Sequence, residues 1–206
     1  MELKKKIFDT QSELVDDVIF ANTFFALEET GLAYPCISNK EDTDTAKLDA
    51  WLRIFAGVYR VKENKYFDPE HAVEWNAGKD VTKEKVKRVA KAVFGEDNYQ
   101  DNLTQILDEF ANRGHSGGLF NIGKLYLKVA KLGDPYWQCS NCERIHLHFG
   151  FKHCTRCAKP LDIKPRGVVE TLWADNFLGK RIVRGERDGV KRFRLNVEEL
   201  TGQTDD

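Results

Sequence analysis

The chain has 206 residues, 41% of them apolar, including 13 Phe and 4 Trp. This is enough to bury a sizeable core as one large domain or two small ones. No eighteen-residue apolar stretch occurs, which argues against a membrane span. The acidic turn after MELKKKIF argues against a secretory signal, so a cytoplasmic setting is expected. The net charge of −1 hides a split: residues 1–121 carry a net −6, residues 122–194 a net +9, and the last twelve residues four acids and no base.

The first 121 residues read as helices. Thr10 and Glu13 form a T-x-x-E capping box, and Leu14, Val15, Val18, Ile19, Ala21 and Phe25 follow at helical spacing, with Gly31 as the stop. A second helix carries Leu48, Trp51, Leu52, Phe55 and Tyr59 on one face. Asp68-Pro69 is expected to open a short helix through Trp75. Thr82 to Phe94 predicts a helix with Val86, Val89, Ala90 and Val93 inward. Asn98 to Arg113 predicts another, with Leu103, Ile106, Leu107 and Phe110 inward and Gly114 ending it. HSGGLFNIGK lacks the phosphate-loop pattern and reads as a hinge or turn.

Leu125, Leu127 and Val129 then alternate as a strand would, leading to the most informative motif of the chain. Cys139-x-x-Cys142 and Cys154-x-x-Cys157 place two thiolate pairs on two tight turns. A strand-turn-strand connection between them brings the pairs face to face. Four converging thiolates match the tetrahedral preference of Zn2+, and a closed four-thiolate site is structural because no position is left for water or substrate. Two disulfides would need an oxidising compartment. A redox pair usually occurs once, and an iron–sulfur cluster fits the spacing less well. His146, His148 and His153 are expected around the site or at the surface, since four thiolates already fill it. Cys36 is expected to be an ordinary buried or semi-buried thiol.

After the ribbon, Lys159-Pro160-Leu161 closes the second turn. Val168 to Lys180 reads as one amphipathic helix carrying Val169, Leu172, Trp173 and Phe177. RGERDG reads as a turn and Arg192 to Val197 as a half-buried strand. The basic block around the ribbon fits contact with phosphates. The residues expected to make it are Lys152, Arg156, Lys159, Arg166, Lys180, Arg181 and Arg184. No phosphate loop, acidic box, nucleophile elbow or H-E-x-x-H occurs, so catalysis by this chain alone is not expected.

WQCSNCERIHLHFGFKHCTRCAKPL, followed by a helix and RFRLNVEELTGQTDD, resembles an internal stretch of the large DEAD/DEAH-box (superfamily 2) helicases of bacterial anti-phage defence systems. Trp137, Cys139, Cys142, His146, Cys154, Cys157 and Glu199 to Thr204 carry the likeness, which covers roughly residues 120–206. It implies that the last segment belongs to a RecA-like lobe and that Thr201 and Gln203 lie near a nucleic-acid backbone. It also implies a piece of a helicase, since that family's nucleotide-binding motifs have no counterpart here.

The expected fold is therefore α+β: a mainly helical region at 1–121, a zinc ribbon with its leading strand at 122–165, and a partial RecA-like lobe at 166–206. The expected function is a zinc-stabilised nucleic-acid-binding or coupling segment, acting on DNA and joined to a polypeptide that carries the remaining lobes. The alternative is a stand-alone zinc-ribbon adaptor that binds protein.

Overall fold

The computed structural model describes residues 10, 14–20, 26–38, 43–70 and 72–187. Within them the chain is α+β. Helices α1 (Thr43–Ala56), α2 (Glu84–Phe94) and α3 (Tyr99–Asn112) form the first half. Strands β1 (Ala33–Cys36) and β2 (Tyr126–Val129) make an antiparallel pair. Strands β3 (Pro135–Gln138), β4 (Ile145–His146) and β5 (Gly167–Val168) make a second sheet in the order β4-β3-β5. Helices α4 (Val169–Asp175) and α5 (Phe177–Arg187) follow. No helix among the described residues is long and apolar enough to cross a membrane.

Helix α1 is the axis of the larger core. From Leu48 to Ala56 every residue is buried, which is what a helix covered on all sides requires. Trp51, Leu52 and Phe55 meet Val86 and Val89 of α2, Leu103 and Phe110 of α3, and Trp75 and Phe120 from the connections. The aromatic contacts run from Trp51 through Phe55 to Phe110 and Phe120, with ring centroids 4.9–6.0 Å apart. α2 and α3 bury the apolar stripes that their spacing predicts.

Four expectations change in the structure. Residues 14–20 are helical, but Leu14, Val15 and Val18 face solvent while Ile19 and Phe20 are buried. The helix is turned so that Asp16 points inward, where its carboxylate accepts from the Asn64 amide. Tyr59 lies beyond the end of α1 and is half exposed. The Arg60 N–H reaches Phe55 O (3.1 Å) and the Tyr59 N–H reaches Ala56 O (2.9 Å), which closes the helix with Tyr59 in the left-handed region.

Among the described residues no helix follows Asp68-Pro69 through Trp75. The Asp68 carboxylate caps a turn through Glu70 N–H (3.0 Å), and the Trp75 N–H is pinned to Gly117 O (3.1 Å). The buried Arg60 guanidinium lies 3.9 Å above the Trp75 ring and donates to Val73 O and Gly117 O. Finally, the helix expected over Val168 to Lys180 is two helices. Asn176 is extended, and its Oδ1 accepts from the N–H groups of Leu178 and Gly179 (both 3.0 Å), which stops α4 and caps α5. Phe177 is consequently exposed, and α5 continues through Arg187 across part of the expected turn. The strand expected at Arg192 to Val197, with Glu13, Ala21, Phe25, Thr201 and Gln203, lies outside the described residues.

Residues 28–36 thread between the halves. β1 pairs with β2 in the register Ala33 to Val129 and Cys36 to Tyr126. Trp173 of α4 donates to Gly31 O (2.8 Å), and Gly31 has positive φ with a Leu172 atom 3.0 Å from where a Cβ would stand. A second, smaller core forms here from Tyr34, Cys36, Tyr136, Ile145, Leu147, Val169 and Trp173. β5 is antiparallel to β3, so residues 166–168 begin by extending the ribbon sheet.

Candidate metal centre

The two C-x-x-C turns are built alike. In the first, the Cys139 N–H donates to Arg144 O (3.0 Å) and the Glu143 N–H to Cys139 O (2.8 Å). In the second, the Cys154 N–H donates to Lys159 O (2.8 Å) and the Ala158 N–H to Cys154 O (2.9 Å). The strand pairs leading in also correspond: Gln138 lies opposite Ile145, and His153 opposite Pro160. The fourth residue after each leading cysteine is left-handed, Glu143 at φ 59 and Ala158 at φ 64. Neither is glycine, so each costs about 1–2 kcal/mol, held by the hairpin around it.

This repetition faces the turns together. The four Sγ atoms all lie within 4.8 Å of one another, so Cys139, Cys142, Cys154 and Cys157 are positioned to hold a metal ion. Two contacts cross between turns: Cys139 to Cys157 and Cys142 to Cys154, both 3.5 Å. That is well beyond a disulfide bond length of about 2.05 Å, and all four are unbridged thiols. Cys139 and Cys154 are buried, Cys142 and Cys157 half-buried.

Burial pushes the Cys154 and Cys142 thiols up. It also works against ionising Cys157, but the Lys159 N–H and the Cys139 and Cys142 thiols stabilise that thiolate more, and it falls to about 7. Leu161 closes the floor of the site, and Trp137 stacks on Phe149 at its side, with centroids 5.3 Å apart.

Behind the centre runs a buried seam of charge. Glu28 pairs with Arg53 of α1 and lies 4.0 Å from Arg144, while Glu29 pairs with Arg144 (3.5 Å) and Arg156 (3.6 Å). The same carboxylates accept the Leu147 N–H (2.9 Å) and the Ile145 N–H (3.2 Å). Those are the two N–H groups that β4 turns away from β3, so the glutamates cap an edge that is buried against the helical half. A paired, hydrogen-bonded carboxylate at zero exposure is a structural group.

Glu28 and Glu29 have no role in the sequence analysis, which misses this one. The one signal was Arg53, a charge inside the otherwise apolar run Trp51 to Phe55.

The three histidines stay off the sulfur cluster. His146 and His148 are buried, and burial holds His146 well below the ordinary range and His148 down at about 4, so both are neutral. The His148 ring packs on Tyr34 (4.7 Å), and half-buried His153 sets Nδ1 3.1 Å from Phe151 O. Cys36 is buried, its thiol donates to Tyr126 O (3.5 Å), and burial raises it to about 11, as suits an inert core thiol.

The basic residues divide. Lys152, Lys159 and Arg166 are exposed on the ribbon. Lys152 and Leu161 are joined through the Leu161 N–H to Lys152 O (2.9 Å), and the Arg166 N–H anchors to Tyr136 O (2.8 Å). Lys180 and Arg181 are exposed on α5, with Arg181 5.7 Å above Phe177, and Arg184 follows on the same helix. Arg156 is half-buried and belongs to the Glu29 seam, because the carboxylate holds it inward.

No protein-family model, no curated protein and no solved structure matches this chain.

Proposed function

We propose that the four cysteines hold one structural Zn2+ and that the ribbon so fixed is a nucleic-acid-binding, coupling segment of a helicase-type machine, not catalytic by itself. Zn–S bonds of about 2.3 Å in a tetrahedron set sulfur–sulfur edges of about 3.8 Å, and the two cross-turn contacts of 3.5 Å sit close to that. A divalent ion with four thiolates carries about −2. The adjoining seam, with Glu28 and Glu29 against Arg53, Arg144 and Arg156, offers a net +1 beside it.

The observation that carries the binding reading is the surface of the ribbon. Exposed Lys152, Lys159 and Arg166 lie on the ribbon that carries the half-buried Trp137–Phe149 stack, and the Lys152 N–H donates to the Phe149 carbonyl in the same turn (2.9 Å). Cations that track phosphates beside aromatic rings that receive bases are the two parts of a sequence-tolerant nucleic-acid surface. The helicase context and the preference for DNA rest on the resemblance of residues 120–206 alone.

The test is binding of a labelled oligonucleotide across a salt series, on protein whose zinc content has been measured. About one zinc per chain and an affinity that falls steeply with salt are expected. Changing Lys152, Lys159 and Arg166 together to Glu should weaken binding and flatten the salt slope by about one unit per lost phosphate contact. Undetectable binding at low salt, or affinity untouched by the triple change, refutes the nucleic-acid reading. Less than about half an equivalent of zinc refutes the metal. The second reading, a ribbon adaptor for protein partners, is favoured by the exposed apolar strand β2.

A further inference from the structure

The loop that leaves the metal centre carries the most exposed large apolar side chain among the described residues. Ile163 is 84% exposed, while Leu161, two residues before it, is buried against Cys139 and Cys154. A single exposed aliphatic on a free loop is ordinary surface. This one is fixed in place. The Leu161 N–H donates to Lys152 O (2.9 Å), the Trp137 indole N–H to Ile163 O (3.4 Å) and the Arg166 N–H to Tyr136 O (2.8 Å). Pro165, between the Ile163 and Arg166 anchors, adds a fixed φ. Tyr136 and Trp137 both belong to β3, so the ribbon sheet itself holds the loop with Ile163 outward. The exposed charges beside it are Lys159, Asp162, Lys164 and Arg166, three cations to one acid.

We propose that Ile163 is a wedge for duplex nucleic acid, entering a base step while Lys159, Lys164 and Arg166 meet the flanking phosphates. This role rests on the nucleic-acid reading of the ribbon and adds to it a substrate class, a deformable duplex, and the residue that deforms it. Charge and shape select this occupant. A protein interface depletes charge around its buried anchors and favours aromatic ones, whereas Ile163 stands between Asp162 and Lys164 with Arg166 close behind. One aliphatic side chain is too little apolar area to hold a chain at a bilayer, where even a myristoyl group binds only marginally. Apolar side chains set among cations are how proteins unstack and kink a duplex, the cost of unstacking being offset by the contacts that the bend allows. A wedge must also not yield, and the three backbone anchors meet that need.

The probe is a short DNA duplex with 2-aminopurine at one central TpA step, a step that unstacks easily, added to the zinc-loaded full chain. Anisotropy of a label at the duplex end reads binding, and 2-aminopurine emission reads unstacking. Saturation should raise the emission about threefold, as apolar insertion opens the step. Ile163→Ala leaves the backbone anchors alone. It should abolish the rise and weaken binding about tenfold, with the salt slope unchanged because no phosphate contact is lost. Ile163→Leu should restore both. Lys164→Glu should lower the slope by about one unit and keep the rise at saturation. Binding without a rise in emission, or a rise that Ile163→Ala retains, overturns the wedge and leaves the charged surface standing. No binding by any form at low salt overturns both. Partition into phosphatidylcholine–phosphatidylserine vesicles, or self-association, that Ile163→Ala abolishes also overturns the wedge and gives the side chain to a membrane or to a second copy.

Discussion

The helical half and the ribbon solve the same problem with different means. Around α1 the chain buries Trp51, Phe55, Phe110, Phe120 and their aliphatic neighbours, and burial at roughly 25 cal/mol per Å2 suffices to hold three helices together. Around the cysteines the apolar contribution is Leu161 with partial help from Trp137 and Phe149, far too little for a stable core, so the sulfur cluster has to supply what side-chain packing cannot. What joins them is the segment 28–36, which gives carboxylates to β4, a carbonyl to α4 and a strand to β2, together with the ribbon's Ala158 and Phe151, which pack on the helical core with the Phe151 ring 5.2 Å from Trp51. A region held by packing should fail gradually with mutation. A region held by one ion, as proposed for the ribbon, should fail all at once.

The largest expected effect follows from that contrast. Structural zinc in small modules is worth roughly 10–16 kcal/mol at neutral pH. Cys154→Ser should therefore abolish the metal and unfold the ribbon, while far-UV circular dichroism retains the signal of α1, α2 and α3. Loss of the whole helical signal would show that the halves are one cooperative unit. Phe110→Ala should do the reverse, costing about 3–5 kcal/mol of denaturant stability through a core cavity and leaving metal stoichiometry unchanged.

Glu28→Gln strikes the joint. It leaves Arg53 and Arg144 buried with one charge fewer to face, and breaking a buried pair costs about 3–5 kcal/mol. Because the Leu147 N–H keeps an amide oxygen to bond, the loss should be mostly electrostatic. A double change with Arg53→Met should recover part of it, which a chemical-denaturation cycle can measure. A single-variant loss within 0.5 kcal/mol would mean the seam is incidental.

How far the sequence reveals this molecule depends on the range of the forces involved. The C-x-x-C pairs are local and chemically narrow, so all four ligand positions follow from spacing. α2 and α3 are amphipathic and lie at the surface, so periodicity finds their inward faces. The first helix was legible as a helix but not in its orientation, because Asp16 turns inward for Asn64, a partner 48 residues away. The break at Asn176 was hidden by an apolar rhythm that runs through it. The Glu28–Arg53–Arg144–Glu29–Arg156 seam joins three distant stretches, and nothing local distinguishes those charges from solvated ones in a chain that is 32% charged.

A smaller effect concerns pH and the boundary between the halves. Burial holds His148 at about 4 against an ordinary 6.5. The unfolded chain therefore takes that proton first, and the group's contribution is complete above pH 6.5 and lost as pH falls toward 4. Asp49 runs the other way. Burial raises it to about 7 from 3.8, so its contribution is present below about pH 4 and lost as pH rises through 7. The two oppose each other between pH 4 and 6.5. Asp49→Asn should make stability fall on acidification relative to the parent, and His148→Phe should make it fall on alkalinisation, each by up to about 1.4 kcal/mol per pH unit. Parallel profiles for parent and variants would place neither group in the balance.

The most direct test of the two-means account is hydrogen exchange, read amide by amide, before and after chelation of the metal. Chelation should release the Cys139, Cys154, Ala158 and Leu161 amides, which the two metal-binding turns hold. The Ile145 and Leu147 amides bonded to Glu29 and Glu28 should follow, while α1 and α3 amides near Phe55 and Phe110 stay protected within about tenfold of the metal-bound protein. Uniform loss of protection across both halves, or an untouched ribbon after the metal is gone, would contradict it.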